Sequence, residues 1–520
     1  VSAYSSSPSD DDRSPKRRLR AQRDYKVRFN KLTDDGFGAG NGPCGYEIRA
    51  LGGIPGEQAR VRLEHVSPHH PLAWGRILKI TEKSPHRVSA PCARALRCGG
   101  CPWMQLAYDA QVAEKRARLQ RLLAELRDRL SNASHPTIGP AVTATPVTVE
   151  PSPQTLHYRN RGKYILARKG DGVVVGAYRP RTHRVISTLG CPVVEPAVDI
   201  TAKVLAGLLG RSALPIYNER TQSGVLRYAG ARANLDGEVL ATLVVTERGD
   251  GKEIEALARA LQSEWTGVVG ITLHVNKSKG NVLFAGPSHT LWGRSTLTDR
   301  FGTTRVQLKG QSFLQINRGQ ATGLYAHVTK LAGKRFTAGG ANPAGACGRS
   351  PIIWDLFCGT GAIALALGRC GASVLGIEKD ENSVALARAE ATRAAIDDRC
   401  TFVAADAHTC LAHNQTPQNS PRPDVVVVNP PRAGCRSELL VDLAGAGVDR
   451  IVYISCNPTT LLRDLTLLGK RGYTLSHLRG FDMMPHTPHL ETVAALDRGT
   501  DLPPAFNLAD TADPTCETSV

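Results

Sequence analysis

The chain has 520 residues, 41% of them hydrophobic, and its Lys and Arg outnumber Asp and Glu by 65 − 47 = 18. That length is too great for one ordinary core and predicts two or three domains, while no apolar run approaches the roughly 20 residues of a membrane span. The charge excess favours a polyanionic partner, nucleic acid first among them, although basic tails would leave the same balance.

Residues 1–23 are polar, charged and Ser-rich, which predicts disorder; they lack the apolar core of a secretory signal, so a cytoplasmic protein is expected. Thirteen cysteines in such a chain favour metal binding or catalysis over disulfides. From 24 to 84, short β-patterned runs alternate with Gly-rich turns and predict a small barrel of OB type. A cysteine cluster at 91–101 follows, and then AQVAEKRARLQRLLAELRDRL, which reads as an amphipathic helix with one densely basic face. Residues 85–306 form the second predicted domain, mostly of strands, with Asp236-Gly237 as a hairpin turn. Bases and tyrosines interleave there at Tyr158, Arg159, Arg161, Lys163, Tyr178, Arg179 and Arg181. Charge for phosphates and flat rings for unstacked bases suit RNA, and a solvated sheet face is the plainer alternative.

From 307 to 496 the pattern changes. IIWDL, SVLGI, CTFVA, DVVVVN and RIVYIS suit buried parallel strands, and helical stretches lie between them, so a doubly wound α/β domain is predicted. GKRFTAGGANPAGACGRS and HNQTPQNSPRP read as loop insertions, and 497–520 as an unstructured tail. The first of these strands ends in DLFCGTG, from Asp355 to Gly361; the second ends in Glu378, placed to accept the hydroxyls of a ribose; Asp406 follows the third, suited to an adenine edge. These three features point to an adenosine-containing cofactor. The turn has neither the GxGxxG spacing of a pyrophosphate binder nor a Walker-type lysine, which favours S-adenosylmethionine over NAD or ATP. Cys456 follows a buried strand directly, at the end where open α/β sheets bind ligands, and the dipole of the next helix is expected to favour its thiolate. A buried cysteine that merely ends a strand is the alternative. DVVVVNPPRAG before it supplies a rigid Pro-Pro turn suited to shaping a pocket for a base.

Four further cysteines are spaced Cys92-x5-Cys98-x2-Cys101, with Cys191 later, an arrangement that suits either an iron–sulfur cluster or zinc. It is not the Cys-x3-Cys-x2-Cys of radical S-adenosylmethionine enzymes. Together with GQSFLQIN, DLFCGTG, NPPRAG, YISCNP and PHLETVAAL, this order of motifs from about residue 24 to 496 resembles the RNA uracil-5 methyltransferase family, in particular its iron–sulfur-containing 23S ribosomal RNA branch.

The resemblance implies an N-terminal TRAM barrel, a central iron–sulfur and RNA-binding domain, and a C-terminal class I, Rossmann-like methyltransferase domain, acting as a monomer. It implies a [4Fe–4S] cluster on Cys92, Cys98, Cys101 and Cys191, and S-adenosylmethionine held by Gln315, Phe357, Gly359, Gly361, Glu378, Asp406 and Asn429. Cys456 is then the nucleophile and Glu491 the base. Asn429 stands where the family usually has Asp, keeping an acceptor but losing the charge, and Ala362 stands where Asn or Thr is usual. A transfer RNA substrate, or an inactive RNA-binding relative, are the alternatives.

Overall fold

The computed structural model describes residues 19–133, 135–170, 172–180, 182–246, 251–278, 286–333, 350–409 and 421–499. Most of the expected tails, both expected loop insertions apart from their last residues, and Arg181 lie outside these residues. The chain divides into two compact units, one of residues 1–110 with 486–488, the other of 111–485 with 489–520.

In the first unit, β1 (Asp24–Leu32), β2 (Gly38–Asn41), β3 (Glu47–Ala50), β4 (Gln58–Val66) and β5 (Leu72–Glu82) close into a barrel in the order β1-β2-β3-β5-β4. The alternation legible in the sequence is the reason. Val27, Phe29, Ile48, Ala59, Val61, Leu63 and Ala73 point inward and are buried. A wholly buried Glu57 fastens the segment after the barrel. Its carboxylate accepts from the amide of Ile54 and from Arg87 Nε and Nη2 at 2.5 and 2.7 Å, and Arg87 Nη2 also donates to the Gly52 carbonyl. A buried carboxylate is tolerable here because its partner is a guanidinium that grips both oxygens.

The second unit opens with α1 (Tyr108–Arg129), α2 (Pro140–Ala144) and the short β6 (Thr148–Glu150). Helix α1 differs from the sequence expectation at Lys115. Instead of joining a basic face, Lys115 is fully buried beside Gln111, Val112, Leu119 and Leu122, and its Nζ lies 2.5 Å from the equally buried Asp482. The sequence pattern shows only a lysine at a helical position; the carboxylate that brings it inside is far away in the chain. Removing one member of such a pair typically costs about 3–5 kcal/mol, because the other charge stays buried.

Next come β7 (Arg161–Lys169), β8 (Gly172–Tyr178), β9 (Val185–Ser187), α3 (Pro196–Arg211), β10 (Leu226–Ala233), β11 (Val239–Val245), α4 (Gly251–Glu264), β12 (Val268–Val275) and β13 (Ser288–Gly293). Among the described residues their strands form one seven-stranded sheet, in the order β13-β12-β11-β10-β7-β8-β9. The Asp236-Gly237 hairpin joins β10 to β11 as expected, with Ala233 opposite Val239. Tyr158 is no stacking platform: it is buried, and its hydroxyl donates to the Pro485 carbonyl.

After the hairpin of β14 (Leu297–Phe301) and β15 (Thr304–Leu308), α5 (Arg318–Gly333) leads into the α/β region. Its elements are β16 (Ile352–Leu356), α6 (Ala362–Arg369), β17 (Ser373–Glu378), α7 (Glu381–Arg393), β18 (Cys400–Ala404), β19 (Val425–Val428), α8 (Ser437–Gly445), β20 (Arg450–Ser455), α9 (Pro458–Lys470), β21 (Tyr473–Phe481) and β22 (Glu491–Arg498). The sheet order is β18-β17-β16-β19-β20-β22-β21-β6. The five strands expected from their apolar runs are parallel and in the anticipated place. The sequence reading did not anticipate the far side, where β22 inserts antiparallel between β20 and β21, and β6 adds in parallel at the edge. The chain leaves β16 in one direction for β17 and β18, then returns to the other side for β19. The crevice at that reversal, above the strand ends, is where open α/β sheets take ligands.

Candidate active site

The crevice is an open pocket lined by Phe313, Leu314, Tyr325, Asp355, Phe357, Cys358, Gly359, Thr360, Ala362, Ile363 and Asn429. Its floor is the turn after β16. Phe357 takes a left-handed conformation (φ 61°), and its ring meets His408 edge-on at 5.0 Å between centroids. Gly361 caps α6 at φ 81°, and a Cβ there would come within 2.9 Å of the Phe402 ring, so the turn and the packing both require glycine. Glu378, half-buried at the end of β17, accepts from the Gly359 amide at 3.0 Å and from the Asp380 amide at 2.9 Å, tying the two loops together. Asp406 is half-buried after β18, takes the His408 amide at 3.0 Å, and has Lys379 Nζ 3.9 Å away.

The expected cofactor residues therefore cluster unevenly. Phe357, Gly359 and Asn429 line the pocket itself, Glu378 touches it through Gly359, and Asp406 borders the His408 that packs on Phe357. Gln315 is buried next to the pocket residue Leu314, and its carbonyl accepts from Asn160 Nδ2. Asp355 was not singled out from sequence. Its Oδ2 accepts from the Ala364 amide, its Oδ1 is buried with no hydrogen-bond partner among the described residues, and burial raises its carboxyl to about 7. An orphaned carboxylate oxygen on the wall, with a glycine whose side-chain direction is open space, fits a cationic, adenosine-containing ligand such as S-adenosylmethionine.

Beside this pocket, β20 and β22 run antiparallel with Ser455 opposite Thr492. One step further along the same register, Cys456 leaves β20 as Glu491 opens β22. The ladder thus sets the two side by side: burial first, then the Glu491 carboxylate, pushes the Cys456 thiol up. Burial also raises the Glu491 carboxyl to about 7. Arg432, from the Pro-Pro turn, opposes both shifts. At Cys456 burial outweighs whatever the following helix contributes. Asn457 takes the capping position, its side chain accepting from the Thr459 amide at 3.1 Å, and the net direction for the thiol is upward.

Arg432 owes its place to a clamp. Its carbonyl accepts from Asn457 Nδ2 at 2.9 Å and from Thr460 Oγ1 at 3.3 Å, both on the α9 side. Buried Asp464 on α9 accepts from the Cys435 amide at 2.9 Å and the Tyr453 hydroxyl at 2.5 Å, while Arg463 Nη2 donates to the carbonyls of Ala433 and Cys435. Gly434, at φ 74°, lets this turn pass, since a Cβ would meet Arg463 and Asp464 at 2.6 and 2.7 Å. The PPR of the motif was the available signal for Arg432; nothing local marks Asp464.

Cys92, Cys98 and Cys101 lie on the turns that follow the barrel in the first unit, and Cys191 lies in the second; all four are partly exposed. Among the described residues no three His, Cys, Asp or Glu side chains are grouped to hold a metal ion. The donor set itself, four thiols, has the chemistry of a soft-metal or iron–sulfur site.

Glu491 makes stability depend on pH in a definite direction. An acid whose value rises on folding, here from 4.5 to about 7, binds its proton more tightly folded than unfolded. Its contribution is full below the unfolded value and is lost as pH rises through the folded one. Glu491→Gln should therefore gain about 3 kcal/mol over the parent near pH 8 and nothing near pH 4. Urea denaturation at both pH values measures this, and an equal effect at the two would refute the buried-acid assignment.

The profile of the tRNA (uracil-5-)-methyltransferase family matches residues 348–499. An uncharacterised RNA methyltransferase of Geobacter sulfurreducens is 33% identical, over 91% of this chain and 89% of that protein. One from Gloeobacter violaceus is 31% identical, over 91% and 96%. The crystal structure of the Pyrococcus abyssi tRNA (uracil-54, C5)-methyltransferase in complex with S-adenosyl-L-homocysteine superposes with a TM-score of 0.68 at 26% identity, covering 91% of this chain and 99% of that one. With a pocket suited to S-adenosylmethionine beside a paired cysteine and glutamate, and relatives matched along nearly their whole length, the chain belongs to the S-adenosylmethionine-dependent RNA (uracil-5-)-methyltransferase family.

Proposed function

We propose that this protein methylates C5 of a uridine in structured RNA, 23S ribosomal RNA by preference, through a covalent bond between Cys456 and C6 of the base. The observation that carries the reading is the β20–β22 register, which sets one thiol and one carboxyl together next to the pocket. S-adenosylmethionine, held by Gln315, Phe357, Gly359, Gly361, Glu378, Asp406 and Asn429, supplies an electrophilic methyl group. The protein's own task is to make C5 nucleophilic. The Cys456 thiolate adds to C6; the C5–C6 π pair becomes a C4–C5 double bond as the C4–O4 π pair moves onto O4, an enolate that is nucleophilic at C5. Once C5 carries both its proton and the methyl group, the Glu491 carboxylate takes the proton. The freed pair re-forms the double bond and the thiolate leaves. Arg432, opposing the upward shift of both groups, favours the ionised forms that these steps use. The base must leave its stack to reach the pocket.

The two substitutions must fail at different stages. Cys456→Ala should bind RNA and transfer no methyl group. Glu491→Gln should methylate once, slow in release by about 10²–10⁴-fold, and accumulate a methylated protein–RNA conjugate that survives denaturing electrophoresis. RNA with 5-fluorouridine at the target should trap the parent enzyme in the same way. Methyl transfer by Cys456→Ala, or no conjugate in either trap, would refute the covalent mechanism.

The likeness of the cysteine motif to the ribosomal RNA branch supports 23S RNA, while the Pyrococcus abyssi structure favours the second reading, a transfer RNA substrate. Mass mapping of 5-methyluridine in both RNA pools, from cells with and without the gene, separates them: the site that disappears with the gene is the target. For the cluster we infer [4Fe–4S] ligation by Cys92, Cys98, Cys101 and Cys191, in a structural role, supported by four thiolate donors in the family order. Protein purified without oxygen should be brown, with about four irons per chain. Cys98→Ser should lose the colour while keeping S-adenosylmethionine affinity. Stoichiometric zinc in colourless protein would refute it.

A further inference from the structure

One cluster of charge in the second unit has no part in the chemistry above. Arg161 on β7 lies directly opposite Arg232 on β10 in the antiparallel register, an arrangement that like charges ordinarily oppose. Two residues along β7, on the same face, stands Lys163, and Arg159 precedes the strand. Both arginines reach one acceptor, the Ser312 carbonyl, Arg232 Nη2 at 2.5 Å and Arg161 Nη1 at 3.4 Å.

Arg232 is only 2% exposed, yet its Nε and Nη1 meet no hydrogen-bond acceptor among the described residues. The carboxylate whose field reaches it, Asp299, is already committed: both its oxygens receive Arg318 Nε, at 2.9 and 3.1 Å, and Oδ1 also takes two backbone amides. The mutual repulsion is visible at Lys163, which burial and the charges of Arg161, Arg232 and Arg159 bring down to about 8. A buried guanidinium with unused donors, crowded by cations, is a site made for an anion. The cluster opens to solvent on the Lys163 side, and Arg161 is half-buried between.

Its position identifies the anion. Ser312 is followed by Phe313, which is 70% exposed and lines the pocket. An anion on the arginines therefore lies one loop residue from the pocket wall. We propose that Arg161 and Arg232, with Lys163 at the entrance, form a phosphate subsite that holds the RNA backbone next to the uridine entering the pocket. This rests on the RNA reading of the function. A planar guanidinium pair suits a phosphodiester, whose two free oxygens can each accept, and ionic attraction to the strand is then anchored at a fixed point rather than spread over a surface.

The test uses the full-length protein and a short all-uridine oligoribonucleotide, with affinity measured across a range of salt. Arg161→Gln should bind about tenfold more weakly and flatten the slope of log affinity against log salt by about 0.7, the value for one phosphate of a single strand. Arg161→Lys should keep the slope, and S-adenosylmethionine affinity should not change in either variant. Arg232→Gln should behave like Arg161→Gln; if it fails to fold, the half-buried Arg161 carries the test alone. Parental affinity and slope in Arg161→Gln would overturn the proposal. So would a loss of S-adenosylmethionine affinity with RNA binding intact, which would assign the arginines to the cofactor's carboxylate. A parent protein that binds the oligonucleotide with the expected slope difference but methylates no cellular RNA would sink the reading of function and leave the subsite standing.

Discussion

The register of one antiparallel pair, β22 against β20, governs what this protein can do. In a purely parallel sheet the residue after each strand faces the crevice alone, and its neighbours are the ends of other strands. Inserting β22 in the opposite sense brings a strand's beginning to the same level as its neighbour's end. The proposed nucleophile, Cys456, and the proposed base, Glu491, are thereby brought to one level by the backbone ladder. A slip of β22 by one residue would turn Glu491 to the opposite face of the sheet from Cys456.

Around this pair the molecule adds charge with economy. Glu491 is buried and reluctant to ionise, and Cys456 likewise, while Arg432 counters both from a turn held by Asn457, Thr460, Arg463 and Asp464. The turn that shapes the pocket and the helix that follows the nucleophile are thus one mechanical piece. Movement of the Pro-Pro segment would have to break hydrogen bonds to a buried carboxylate, which is costly in a low dielectric.

Much of this was legible in the sequence because the local rules and the fold agreed. Alternation predicted the barrel, Asp236-Gly237 predicted the β10–β11 hairpin, and five apolar runs with Gly-rich or acidic ends predicted the parallel strands and the crevice. What the sequence hid depends on partners distant in the chain. Lys115 looked like surface charge until Asp482 was seen against it, and Tyr158 looked like a stacking ring until its hydroxyl was found on Pro485. Asp355 read as the end of a strand, and its unpartnered oxygen is visible only in three dimensions. At Cys456 desolvation, which a helix pattern in the sequence does not reveal, prevails and carries the thiol upward. The placement of antiparallel β22 between two earlier strands is a question of topology, which no local pattern encodes.

The edge strand β6 has a consequence for the order in which the protein is made. Its three residues, Thr148 to Glu150, pair with Arg479 to Phe481 of β21, which itself pairs with β22. A ribosome delivers the chain from its N-terminus, so β6 waits for most of the remaining chain to be synthesised before its partner exists. Contacts so distant in sequence close slowly, after local hairpins and helices have formed. The same late segment carries Glu491. Completion of the sheet and completion of the proposed catalytic pair are therefore the same event, and a nascent chain stalled before β22 would lack its proposed base.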